Sequence, residues 1–96
     1  SIEVEEEYTK EEIDKAEAFK DQGNALFKGM HDICEYSIEY KLEQALDCYS
    51  EAIYCKVPKK KKAIYYSNRA MINMKLENYA LSLFGNPMLY LEYSRC

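Results

Sequence analysis

The sequence predicts an all-α chain of stacked helical hairpins, about two of them, with the second truncated. Three observations lead there. The segment Phe19-Lys20-Asp21-Gln22-Gly23-Asn24-Ala25-Leu26-Phe27-Lys28 recurs, altered, as Tyr66-Ser67-Asn68-Arg69-Ala70-Met71-Ile72-Asn73-Met74-Lys75, and a second amphipathic stretch follows each copy. An internal repeat of this size predicts a solenoid, whose units bury their apolar faces only against one another and whose usual work is to hold another chain. Apolar residues also recur at steps of three and four, the period of one helix face. Finally, 48% hydrophobic and 31% charged residues mark a globular chain rather than a disordered one, and 96 residues suit a single domain, 1–96.

The first helix opens at Thr9, with Glu12 placed to complete a capping box. Ile13, Ala16, Phe19, Gly23, Leu26, Phe27 and Met30 then fall on one face, and Gly29 is the expected C-terminal stop. Gly23 in mid-helix costs roughly 1 kcal/mol against Ala, which implies close approach of a neighbouring helix. Residues 30–40 lack a period and read as an inserted connection with room for an extra helical turn. The second helix is expected from about Tyr40 to Lys56, with Leu42, Ala45, Leu46, Tyr49, Ala52 and Ile53 inward. Pro58 ends it. The run Lys59–Lys62 reads mainly as a solvated loop of like charge. The third helix is expected from about Lys61 to Glu77, with Ala63, Tyr66, Ala70 and Met74 on its core face, and a fourth from Asn78-Tyr79 carrying Leu81, Leu83 and Phe84. Gly85-Asn86-Pro87 interrupts that fourth helix, leaving an apolar, tyrosine-rich tail at 86–96. Repeat one thus covers about 12–57 and repeat two about 61–85.

Charge and cysteines narrow the function. The net charge is −4, from 17 acidic and 13 basic residues, which argues against a general nucleic-acid binder. No apolar run reaches the length of a membrane span, and the acidic start 1–7 is unlike a signal peptide. Cys48 and Cys55 lie seven apart, roughly 10 Å along a helix, too far for a bridge. Reduced thiols in the cytoplasm are the expectation. His31 with the three nearer cysteines lacks the spacing of a zinc site, so neither metal nor cofactor is expected. His31 and Cys34 form no recognisable nucleophile motif, and Asp32 and Glu35 would raise the thiol's pKa, so no enzyme is expected.

The two helix pairs resemble tetratricopeptide repeats. Phe19, Gly23, Leu26, Ala45, Tyr49 and Ala52 carry the likeness in the first repeat; Tyr66, Ala70, Tyr79 and Ser82 carry it in the second. Residues 20–28 and 66–70 look, more narrowly, like the carboxylate-clamp subgroup of co-chaperones, which grip the C-terminal Glu-Glu-Val-Asp of heat-shock chaperones. The resemblance implies that Lys20, Asn24 and Asn68 bind a peptide carboxylate. Lys and Asn suit that task, since a carboxylate needs several donors and a positive charge. The subgroup's remaining Lys and Arg come from a fifth helix. Here only Tyr93-Ser94-Arg95 resembles it, several residues short of the usual register, and Arg95 stands as a further candidate. A chain with two repeats also leaves an open end, through which a second copy could add. The expected function is therefore a co-chaperone adaptor binding a chaperone tail; the alternative is a general repeat scaffold or oligomerisation module.

Overall fold

The computed structural model describes residues 8–28, 35–86 and 88, and among them it is all-α. It contains α1 (Lys10–Lys28), α2 (Glu35–Tyr54) and α3 (Lys59–Gly85). Gly29, residues 30–34 with His31 and Cys34, and the tail with Arg95 lie outside the described residues.

Thr9 caps α1 as its sequence predicts, its Oγ1 accepting the Glu12 N–H at 3.1 Å. Glu12 does not spend its carboxylate on the expected capping box. Its Oε2 accepts the Lys56 N–H at 3.3 Å instead, tying the start of α1 to the turn after α2. At the other end, the Tyr49 ring lies against Gly23 and its hydroxyl donates to Asn24. These two ties make α1 and α2 an antiparallel hairpin. The close approach inferred at Gly23 is present: a Cβ there would meet Tyr49 Cε1 at 2.8 Å.

The second helix starts at Glu35, not near Tyr40, so residues 35–40 are helix rather than inserted connection. Its inward face is as expected, with Leu42, Ala45, Tyr49, Ala52 and Ile53 buried. The chain between α2 and α3 is also anchored, since Cys55 and Val57 are buried in the same cluster as Ala16, Ala52 and Tyr65. A second cluster joins Leu42, Ala45, Tyr49 and Ile72, with Leu26, Phe27 and Leu76 packed on it. Because Tyr65 meets the end of α2 and Ile72 its middle, α3 runs antiparallel to α2 and parallel to α1.

Three expectations for the last helix fail. The lysines Lys59–Lys62 are not a loop but the first turn of α3, which begins directly after Pro58, an extended residue at φ −58° and ψ 150° that cannot prolong α2. The break expected at Glu77–Asn78 is absent, and α3 continues for 27 residues to Gly85. The physical reason is that Lys75-Leu76-Glu77-Asn78-Tyr79 holds neither Gly nor Pro, and the strong stop comes only at Gly85-Asn86-Pro87. The third error is the face. Among the α3 residues whose side chains are described, Tyr65 and Ile72 are fully buried, with Asn68, Arg69 and Leu76 half-buried beside them. Ala63, Tyr66, Ala70 and Met74 lie on the exposed side. The described second repeat is therefore one long helix on a hairpin. The molecule is a thin slab, 59 × 26 × 15 Å.

Candidate functional site

Lys20 and Asn24 are one turn apart on α1, on the flank that Glu17 turns towards α3. Glu17 is the hub of that flank. Its Oε2 accepts from Lys20 Nζ at 2.5 Å, and its Oε1 accepts from the Tyr65 hydroxyl at 2.7 Å and from Lys61 Nζ at 3.1 Å. Asp21 lies 3.6 Å from Lys20 on the exposed side. These donors hold the Glu17 carboxyl far below its ordinary value, at about 2, with the Lys20 hydrogen bond the largest cause and the Tyr65 hydroxyl next. Lys20 is correspondingly raised, chiefly by its bond to Glu17. Burial, then the bond to Glu17, raises the Tyr65 phenol. Two lysines share the one half-buried carboxylate, and with Asp21 beside Lys20 the four charges balance.

The register between α1 and α3 places Asn68. Tyr65 touches Glu17, a separation of 48 residues. Ten residues further along both helices, the Lys75 ammonium lies 5.3 Å from the Phe27 ring centroid, from 27 to 75 and so again 48. Lys20 and Asn68 share that separation and lie between the two contacts. In parallel helices they therefore stand at one level of the α1–α3 groove. Asn24 stands one turn further on, level with Ile72.

The amide of Asn24 is fixed from behind. The Tyr49 hydroxyl donates to its Oδ1 at 2.5 Å, which assigns the carbonyl to α2 and leaves the NH₂ as a donor. Tyr49 is itself fully buried, and burial raises its phenol pKa. Asn68 is half-buried, beside Arg69, which donates to Ser50 at 3.3 Å and stacks over Tyr66 at 5.0 Å. Lys20, already paired with Glu17, thus stands level with the half-buried Asn68, and the braced Asn24 stands one turn further on.

Sequence reasoning named Lys20, Asn24 and Asn68 but missed Glu17, Lys61, Tyr65 and the Tyr49 brace. Glu17 had a signal, since it precedes Lys20 by three residues, the spacing of a helical ion pair. Lys61 and Tyr65 had none while the wrong face of α3 was assigned inward. Cys48 and Cys55 are free thiols, and burial raises the pKa of both, which leaves them poor nucleophiles at neutral pH. Among the described residues no helix is long and apolar enough to cross a membrane. Comparison of the chain with protein-family models, curated proteins and solved structures gives no match in any of the three.

Proposed function

We propose that the chain is a non-catalytic interaction module that holds the C-terminal carboxylate of an acidic peptide in the α1–α3 groove, the work of a co-chaperone adaptor on a chaperone tail. The observation that carries this reading is the common separation of 48 residues, which sets Lys20 and Asn68 level, with the braced Asn24 amide one turn on. Charge-assisted hydrogen bonds contribute roughly 1.5–3 kcal/mol each. Lys20 is already paired with Glu17, so a ligand must share it, and its net contribution falls at the low end. Lys61 on the same carboxylate makes sharing feasible, because Glu17 stays neutralised when Lys20 turns to a ligand.

Fluorescence anisotropy with a Glu-Glu-Val-Asp peptide as free acid and as C-terminal amide tests the reading. The free acid binds and the amide does not. Lys20→Ala weakens the free acid by about tenfold, equivalent to about 1.4 kcal/mol. Equal binding of both peptide forms removes the carboxylate reading. A general scaffold without a carboxylate site is the second reading, and the exposed apolar side of α3 favours it. That reading predicts indifference to Lys20→Ala.

A further inference from the structure

The side of α3 turned away from α2 carries a pattern of its own. Ala63, Ser67, Ala70, Met74, Glu77 and Leu81 are all exposed, and they follow one another at steps of four, three, four, three and four. That is the spacing of a two-stranded coiled-coil seam, with four of its six positions apolar. Met74 is 64% exposed and Leu81 62%, and a helix with apolar residues on opposite sides calls for a partner on each.

The seam is complementary to itself when reversed. About the level of Ile72, an antiparallel copy sets Ala63 against Leu81 and Ala70 against Met74, a small residue against a large one each time. Ser67 then faces Glu77, so a hydroxyl donates to a carboxylate. Run in parallel, the same seam sets Ala against Ala and Glu77 against Glu77, which leaves gaps and a like-charge contact.

The ends of α3 give an independent argument. It begins with four lysines and no acid in its first turn, and it has no basic residue in its last. Both ends therefore lack the charges that suit the helix dipole. An antiparallel copy brings Lys59 and Lys60 of each chain beside the other's C-terminal carbonyls at Gly85, where positive charge is favourable. We propose that a second copy of this chain covers the face, through a two-fold antiparallel α3–α3 seam centred level with Ile72. The small residues allow close approach but bury little apolar area, so the dissociation constant falls in the micromolar range, whatever occupies the α1–α3 groove.

Sedimentation velocity on the full chain, over concentrations spanning that range, tests this. The wild type shifts from monomer to dimer with concentration. Ala70→Glu and Met74→Lys each weaken the dimer at least about tenfold, while circular dichroism shows unchanged helicity because both positions are exposed. Mixing the two variants restores association, since the introduced carboxylate of one copy faces the introduced ammonium of the other. A chain that stays monomeric, as it would if residues 87–96 covered the seam instead, overturns the proposal. So does a dimer indifferent to both substitutions, or a mixture that fails to associate.

Discussion

Glu17 and Gly23 are the two residues on which the local architecture most depends. Glu17 is ionised with a pKa of about 2 in the folded chain, against an ordinary 4.5. A depressed carboxyl contributes stability that is fully present above the unfolded value and is lost as pH falls through the folded one. Its side chain is 28% exposed, so solvent screening reduces the contribution to about 1–2 kcal/mol. Denaturant titration from neutral pH downward should show the wild type losing this amount between about pH 4.5 and 2. Glu17→Gln should be less stable at neutral pH and should lack that part of the decline. Gly23→Ala sets two effects against each other. Ala improves helix propensity by roughly 1 kcal/mol. Its Cβ meets the ring of the fully buried Tyr49 at 2.8 Å, and overpacking of that kind costs about 1–3 kcal/mol. Thermal unfolding should show a net loss of about 1 kcal/mol, and the ring's displacement should also disturb the Asn24 amide.

At the scale of the element, α3 separates what the sequence discloses from what it conceals. The inward faces of α1 and α2 were legible because each has one apolar stripe. In α3 there are two stripes, and the period of 3.6 fits both. The one through Ala63, Tyr66, Ala70 and Met74 matches the internal repeat, so the sequence alone points it inward. The one through Tyr65, Ile72 and Leu76 is the side that packs on α2. The choice between them is made by tertiary contact with α2, which no local pattern encodes. The candidate site shares this history: Lys20, Asn24 and Asn68 come from the resemblance to the carboxylate-clamp subgroup, whereas Glu17's partners depend on which face of α3 turns inward. Truncation tests the assignment. Ile72→Ala should cost about 2–5 kcal/mol, as expected for a buried side chain that leaves a cavity. Met71→Ala, one residue away and 42% exposed, should stay within about 0.5 kcal/mol. Chemical denaturation of the two variants beside the wild type decides, and equal costs would contradict the burial of Ile72.

On the scale of the whole molecule, the three described helices lie in a slab only 15 Å through its least dimension. Such a slab has two broad surfaces and little interior. The surfaces differ in kind along α3: the side towards α1 carries charged and amide side chains, and the outer seam is mixed, with Ala63, Ala70, Met74 and Leu81 apolar between Ser67 and Glu77. The proposed peptide and the proposed second copy would therefore use one helix without competing for residues.

The buried residues of this slab do not form one body of oil. Ala16, Ala52, Ile53, Cys55, Val57 and Tyr65 cluster at the end where α2 turns into α3, and Leu42, Ala45, Tyr49 and Ile72 cluster nearer the other. Each end can then breathe on its own, with its own opening free energy. Lys20 and Asn68 stand near the boundary between the halves, on helices that run through both. A peptide gripped there would splint the halves together. Amide hydrogen exchange should slow at both ends of α2 on binding, far from the peptide itself, and protection confined to the groove would show that the two halves already open as one.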